Sequence, residues 1–211
     1  MKLYEDFIDD IEDVTNKEEL TNKIVNEFEE YPHIQQGIKS YIDVLFKDNN
    51  DDIEDAKADL IDLLNEIYNL SDDELDALDL AVEDLGPWYF HDTVDIINRG
   101  DYIFYPDVTS DFDLGQAYID MVGPIEDAVS KDKLSLYINV DDVAEMFMRD
   151  NKDTEEDESM DFEDWYAIAE EEVENDPERF VDDFFDYEMF GRDLRLGDGY
   201  FIGDGGAIWI Q

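Results

Sequence analysis

The chain has 211 residues, of which 62 are Asp or Glu and 14 are Lys or Arg, so its formal net charge at pH 7 is −48. Hydrophobic residues make up 43% of the sequence and aromatic residues 13%, which is enough apolar material for a folded core and unlike the composition of disordered acidic proteins. The charge excludes nucleic acid and anionic membranes as partners, and the lack of cysteine excludes disulfides and thiol chemistry.

The negative charge is far larger than solubility requires, since a magnitude of about 2 to 8 is enough for a small domain. B-DNA carries one negative charge per about 1.7 Å of its axis, so a net charge of −48 corresponds to about 80 Å of duplex, or about 24 base pairs. This total is on the scale of the footprint of a DNA enzyme. We therefore expect a strongly basic partner.

The first hundred residues are predicted to be helical. Apolar residues recur at helical spacing in five successive stripes between Leu3 and Leu85, and a sixth helix is predicted from about Trp88 to Asn98. Capping-box patterns begin at Thr15 and at Ser71. We predict a helical N-terminal module over residues 1–70 and a helical middle module over residues 71–99.

The remainder of the chain, residues 100–211, is predicted to be an α+β region. Residues 101–106 are short, aromatic and flanked by Gly and Pro, which is typical of a strand. A helix capped by Ser110 follows, and residues 134–140 are a second candidate strand, although a helix remains an alternative there. Residues 200–202 and 207–210 are predicted to form a hairpin around a Gly-rich turn. The fold class predicted for the whole chain is α+β.

An acidic helical insertion is predicted at residues 150–178. This stretch contains 15 Asp and Glu residues against one basic residue, Lys152. Apolar residues within it keep a helical period from Phe162 to Val173. The predicted helix is therefore apolar on one face and rich in carboxylates elsewhere.

Residues 185–196, FDYEMFGRDLRL, contain two of the five arginines of the chain. Tyr187, Phe190 and Leu194 recur at helical spacing, and Gly197 is predicted to end this helix. Acidic residues stand close to both arginines, so we expect the arginines to form structural ion pairs and not to serve as catalytic cations.

Three segments resemble the ArdA family of anti-restriction proteins, and they occur in the order in which that family has them. They are GDYIFYPDV at residues 100–108, DLGQAYI at residues 113–119, and FDYE with GRDL at residues 185–188 and 191–194. The resemblance extends over about residues 98–211, a little over half of the chain.

The resemblance implies an elongated, modular homodimer whose carboxylates imitate the charge of DNA. Members of this family occupy the DNA-binding groove of type I restriction–modification enzymes and protect phage or plasmid DNA, without catalysis and without a cofactor. The residues that we expect to form the mimic surface are Asp107, Asp111, Asp113, Asp120, Glu155, Glu156, Asp157, Glu158, Asp161, Glu163, Asp164, Glu170, Glu171 and Glu172.

The segment with Leu114, Gly115 and Tyr118 has two interpretations. The family resemblance implies that it lies near the dimer interface. Alternatively, it is an ordinary helix start whose glycine allows close packing. Both interpretations predict that Gly115 tolerates no larger side chain.

Other classes of function fit the sequence less well than mimicry. An enzyme is disfavoured because His33 and His91 are the only histidines and neither lies in a metal or nucleophile motif. Asp48, Asn50 and Asp52 resemble the opening of an EF-hand loop, but the later glycine and bidentate glutamate of that loop are missing, so no metal is expected. A halophilic enzyme and an acidic protein that sequesters another basic DNA-binding or defence protein are further alternatives. The N-terminus lacks the pattern of a signal peptide, and no apolar run could span a membrane, so we expect a cytoplasmic location.

Overall fold

A computed structural model describes residues 7–8, 11, 14–48, 53–152 and 160–211 of the chain. These residues are mostly helical and include one three-stranded antiparallel sheet, which confirms the predicted α+β class. None of the helices within the described ranges has both the length and the apolar content needed to cross a bilayer. The chain divides into two compact units. We call Met1–Thr109 with Tyr200–Gln211 the sheet unit, and Ser110–Gly199 the inserted unit, because it interrupts the sheet unit in sequence.

The described part of the sheet unit begins with consecutive helices, as predicted. In chain order they are α1 (Lys17–Glu27), α2 (Pro32–Asp48), α3 (Ile53–Tyr68), α4 (Asp72–Leu85) and α5 (Phe90–Arg99), with a 3-10 turn at Pro87–Tyr89 before α5. The Ser71 side chain accepts a hydrogen bond from the Glu74 amide, and the Glu74 carboxylate accepts one from the Ser71 amide. This reciprocal pair confirms the predicted capping box of α4.

The sheet joins the middle of the chain to its C-terminus. Its strands are β1 (Tyr102–Pro106), β2 (Phe201–Gly203) and β3 (Gly206–Ile210), and β3 lies between the other two with antiparallel pairing on both sides. Tyr102 pairs with Ile210 and Phe201 with Ile208. The strand and the hairpin predicted from the sequence are thereby confirmed.

The core of the sheet unit is mainly aliphatic. Ile24, Ile38, Leu60, Leu64 and Leu78 are fully buried, and Ile208 of β3 belongs to the same buried cluster. A helix with one apolar stripe is stable only when that stripe is covered, so the helices and the sheet bury each other.

The inserted unit consists of short helices and turns. Its helices are α6 (Asp111–Val122), α7 (Ile125–Ala128), α8 (Lys131–Leu134), α9 (Val140–Asp150), α10 (Phe162–Asn175), α11 (Val181–Phe184) and α12 (Tyr187–Asp193). The intervening 3-10 turns are Ser135–Tyr137 and Pro177–Arg179, and a π-helical turn, Leu194–Asp198, follows α12.

Two glycines bring α6 and α12 into backbone contact. A Cβ atom placed on Gly115 would overlap the carbonyl oxygen of Tyr187, and one placed on Gly191 would overlap the carbonyl oxygen of Asp111. Any other residue at either position would force the helices apart. The two segments around these glycines, residues 113–119 and 185–194, therefore pack directly against each other.

Aromatic rings surround this helix crossing. The ring centroids of Tyr137 and Phe190 are 5.2 Å apart, and those of Phe185 and Phe190 are 5.6 Å apart, in edge-to-face geometry. The Tyr137 hydroxyl donates a hydrogen bond of 2.9 Å to the Asp193 carboxylate. Burial, followed by this hydrogen bond, raises the pKa of Tyr137 to about 12.

Several sequence predictions need correction. The candidate strand at residues 134–140 is the end of α8 and a 3-10 turn, with only an isolated bridge between Ile138 and Phe185. Asn16, not Thr15, caps α1, because its side chain accepts the hydrogen bond from the Glu19 amide. The predicted helix end at Gly197 lies inside the π-helical turn, which ends at Asp198 and is capped by Gly199 with φ of +84°.

The predicted modules have different limits from the two compact units. Residues 1–70 and 71–99 contribute side chains to one core, which also includes Ile208 of the predicted C-terminal region. Residues that are distant in sequence meet in this core because β3 pairs with β1. The first predicted helix, from residue 3 to residue 14, lies largely outside the described residues.

Candidate acidic binding surface

Helix α10 is the central element of the predicted acidic insertion, and its start is fixed by two acidic residues. The Asp161 side chain accepts a hydrogen bond of 3.1 Å from the Asp164 amide, and the Asp164 side chain accepts one of 3.1 Å from the Asp161 amide. Trp165, Ala169 and Val173 are buried along the inner side. The helix is therefore held by an apolar stripe that leaves its acidic positions outside.

The side opposite this stripe carries five carboxylates. Glu163, Glu170 and Glu174 form one row, and Asp164 and Glu171 form a second row beside it, with all five exposed. At 3.6 residues per turn these positions span an arc of about 120°. We call these five residues the acidic helix face.

The density of charge along α10 resembles that of a DNA strand. The helix has 14 residues and is therefore about 21 Å long. With Glu172 included, its carboxylates average one per about 3.5 Å of axis, and a single DNA strand carries one phosphate per about 3.4 Å. The carboxylates stand in two groups, at residues 163–164 and 170–174, so the match concerns the mean charge per length and not the spacing of the charges.

Basic side chains do little to neutralise this face. Among the side chains that the structure describes, Arg179 pairs with Glu172, with 3.3 Å between Nη1 and Oε2, and Glu172 stands beside the buried stripe, seven residues after Trp165. Two further arginines of the inserted unit, Arg149 and Arg195, pair with Asp150 and Asp111, which are not part of this face. The exposed carboxylates of α10 are thus available to cations from outside the chain.

The predicted residues on α6 have different surroundings. Asp120 is exposed. Asp111 accepts hydrogen bonds of 2.6 and 3.1 Å from Arg195, and this arginine lowers the pKa of the Asp111 carboxyl. The Asp113 carboxylate accepts a hydrogen bond of 2.8 Å from the Ser110 hydroxyl at the start of the helix. Asp111 therefore serves the structure of the inserted unit, and the expected ion pair of Arg195 is confirmed.

Asp107 belongs to the sheet unit and lies close to carboxylates of α4. It occupies the left-handed region with φ of +62°, which Asp tolerates better than most residues, and its amide donates to the Gly205 carbonyl. Burial, followed by the charges of Asp73, Asp72 and Asp107, raises the pKa of Asp76. We call these four residues the acidic cluster.

The structure separates the remaining predicted residues into two groups. Asp161, Glu163, Asp164, Glu170, Glu171 and Glu172 are exposed on or at the start of α10. Glu155, Glu156, Asp157 and Glu158 lie outside the described residues. Asn50 and Asp52, which the calcium alternative requires, also lie outside them.

The segment with Leu114, Gly115 and Tyr118 has a clear role inside the inserted unit. Leu114 and Gly115 are buried, and the ring of Tyr118 packs edge-to-face on Phe190 at 5.7 Å. This is the close-packing glycine that the second interpretation predicts. A role of the segment in a dimer stays a prediction, and Leu114 and Gly115 could reach a partner only if this packing changed.

Sequence reasoning missed several acidic residues. Glu174 stands eleven positions after Glu163, on the same row, and this helical spacing could have identified it. The acidic cluster was missed because Asp72, Asp73 and Asp76 approach Asp107 only when α4 packs beside the end of β1.

We compared the chain with models of known protein families, with curated proteins and with solved structures, and none of the three comparisons found a match. The resemblance to ArdA proteins therefore stays a prediction from the three short segments.

Proposed function

We propose that this protein is a DNA mimic that occupies the DNA-binding groove of a type I restriction–modification enzyme and so protects phage or plasmid DNA. The observation that carries the proposal is helix α10, whose exposed carboxylates have nearly the same mean charge per length of axis as a DNA strand. The resemblance of residues 98–211 to ArdA proteins supports the choice of target.

The mechanism is competitive occlusion and requires no cofactor and no catalysis. A DNA-binding groove is lined with Lys and Arg side chains that neutralise phosphates. Carboxylates on a rigid helix can pair with the same side chains, and a net charge of −48 attracts the groove over long distances at low salt. We expect inhibition to weaken steeply as the salt concentration rises, because salt screens these charges.

The resemblance also implies that the protein acts as an elongated homodimer, and we propose that it does so in the cytoplasm. Light scattering coupled to size-exclusion chromatography would test the dimer, since the monomer has a mass of 24.7 kDa. A mass close to that of the monomer at micromolar concentration would contradict this part of the proposal.

The decisive experiment is a competition assay with purified full-length protein, a type I enzyme and labelled DNA that carries its recognition site. We expect near-stoichiometric displacement of the DNA at low salt. The test variant replaces Glu163, Glu170, Glu171 and Glu174 with Gln, which removes four charges and keeps the shape of the side chains. We expect its inhibition constant to rise at least about tenfold, because each lost charge pair at a desolvated interface weakens binding.

A matched control removes the same charge from other exposed positions of the inserted unit, namely Asp141, Glu145, Asp182 and Asp183. We expect this control to inhibit nearly as well as the unchanged protein. Equal losses in both variants would show that total charge matters and that the acidic helix face does not. No displacement of DNA by the unchanged protein at low salt would contradict inhibition of this enzyme.

A further inference from the structure

The sheet unit has an aromatic pocket that the proposed mimicry does not use. Its cavity has a volume of about 160 Å³. A cavity of about 150 Å³ accepts a group of the size of benzene, so this one can hold a single large side chain. The residues that line it are Ser40, Tyr41, Val44, Pro87, Trp88, Tyr89, Phe90, His91 and Asp92.

Two large aromatic side chains at the pocket are unusually exposed. Trp88 is 75% exposed and Tyr89 is 60% exposed, and both belong to the 3-10 turn between α4 and α5. Exposure of a large aromatic surface to water is energetically unfavourable, and such surfaces mark sites of interaction. Trp and Tyr are also the residues most enriched among those that dominate binding energy at protein interfaces.

The pocket is held in shape from behind. Phe90 directly follows the exposed turn, is only 1% exposed, and fills the space that the missing side chain of Gly37 leaves on α2. The rings of Tyr41 and His91 stack with their centroids 5.8 Å apart and form one wall. The exposed turn is therefore anchored between α2 and α5.

The surroundings of the pocket are negative. Asp92 is one of the lining residues, and its carboxylate is 77% exposed and lies 3.8 Å from His91 Nδ1. Burial, followed by the negative charges of Asp59, Glu66 and Asp62 on α3, raises the pKa of Tyr41. A cation in the pocket would thus contact aromatic ring faces and lie close to negatively charged side chains.

We propose that this pocket binds an arginine side chain of the basic partner protein, stacked on Trp88 and Tyr89 and paired with Asp92. A guanidinium is planar, stacks on aromatic rings and is more weakly hydrated than an ammonium, so the pocket selects arginine over lysine. The inference rests on the proposed function, since it specifies how the basic partner is held outside the acidic helix face.

Calorimetric titration of the full-length protein with an arginine nonapeptide and a lysine nonapeptide at low salt tests this inference. We expect the arginine peptide to bind several-fold more tightly than the lysine peptide. The variant Trp88→Ala should weaken binding of the arginine peptide about 3- to 10-fold and should change binding of the lysine peptide less than about twofold. The control Leu196→Ala truncates a side chain that is 64% exposed in the inserted unit and should change neither.

Fluorescence gives a second readout, because Trp88 is exposed, Trp165 is buried, and Trp209 belongs to β3. The difference between the spectra of the unchanged protein and the variant Trp88→Phe isolates the emission of Trp88. We expect this emission to shift when the arginine peptide is added and not when the lysine peptide is added. Equal binding of both peptides, or no effect of Trp88→Ala, would overturn the inference.

The two proposals fail in different ways. If the protein displaces DNA from the type I enzyme but its peptide binding is independent of Trp88, the arginine pocket is wrong and mimicry stands. If Trp88 selects the arginine peptide but the protein displaces no DNA, the pocket stands and the proposed target is wrong.

Discussion

The sheet unit and the inserted unit carry nearly equal formal charges, −25 and −23, but they bury different kinds of side chain. The sheet unit packs aliphatic side chains such as Ile38 and Leu64 between helices and a sheet. The inserted unit brings two helix backbones together at Gly115 and Gly191 and surrounds them with aromatic rings. The comparison indicates that a very acidic surface is compatible with different cores, as long as the carboxylates occupy outer helix faces.

The units also differ in how their surroundings shift the pKa values of carboxylates. In the sheet unit, burial raises the pKa values of Asp76, Asp79 and Asp84. In the inserted unit, the hydrogen bonds from Arg195 lower the pKa of Asp111. Folding thus disfavours the charged forms of Asp76, Asp79 and Asp84, and it favours the charged form of Asp111.

The largest effect is expected from the aliphatic core. The variant Leu64→Ala should reduce the free energy of unfolding of the sheet unit by about 2–5 kcal/mol, because it leaves a cavity where the side chain is fully buried. Chemical denaturation, combined with hydrogen exchange resolved by chain segment, would measure this loss of unfolding free energy. The control Leu85→Ala, at a position that is 37% exposed, should cost far less. Similar losses in both variants would contradict the assignment of the core.

The glycine crossing of the inserted unit should be the next most sensitive feature. Gly191→Ala should cost about 1–3 kcal/mol, because the added methyl group overlaps the Asp111 carbonyl and the helices must separate. Gly197→Ala is the control, since a Cβ atom there has no neighbour within 4 Å. Hydrogen exchange should show lost protection in α6 and α12. An equal loss of protection in α2 and α3 would show that the units do not unfold separately.

The ion pair between Arg195 and Asp111 should contribute less to the stability of the inserted unit than the contact between Gly115 and Gly191. Arg195→Gln should lower the melting temperature at pH 7 and raise the pKa of Asp111, because it removes both hydrogen bonds to that carboxylate. The loss should disappear as the pH falls through the folded pKa, which lies below the ordinary value of 3.8. Titration of Asp111 by NMR would measure the shift, and an unchanged pKa would exclude the pairing in solution.

A substitution in the acidic cluster should have the smallest effect on stability, and it should stabilise the fold where the other variants destabilise it. A carboxyl with a raised pKa binds a proton more readily in the folded chain, so lowering the pH from 7 should stabilise the sheet unit, and this gain is complete below the unfolded value of 3.8. Asp76→Asn should therefore raise stability at pH 7 by about 0.2–0.5 kcal/mol, a small gain because water screens the repulsion at this exposed residue.

Thermal unfolding at several pH values would measure the effect of Asp76→Asn. Hydrogen bonds from Ser71 lower the pKa of Glu74, so protonation of Glu74 destabilises the fold as the pH falls. The effect of Asp76 is therefore measured as the difference in stability between the unchanged protein and Asp76→Asn at each pH. A loss of stability in Asp76→Asn at pH 7 would show that Asp76 makes a favourable contact in its charged form.

The sequence by itself determined the local structure of this protein. The helical stripes, the Ser71 capping box, strand β1, the C-terminal hairpin and the acidic α10 could all be predicted, because each depends on residues close together in the chain. The excess of acidic residues likewise needed only composition. The prediction of a strand at residues 134–140 was wrong because an apolar stretch so short does not distinguish a strand from helical turns.

Only the tertiary structure decided which distant residues meet. The pairing of β1 with β3 places Ile208 in the core of the first hundred residues, and the contact between Gly115 and Gly191 joins segments that are far apart in sequence. It also separated the acidic residues by role: Asp111 is held by Arg195, Asp76 lies beside other carboxylates, and Glu170 faces solvent. These roles depend on neighbours across the fold, which have no signal in the local sequence.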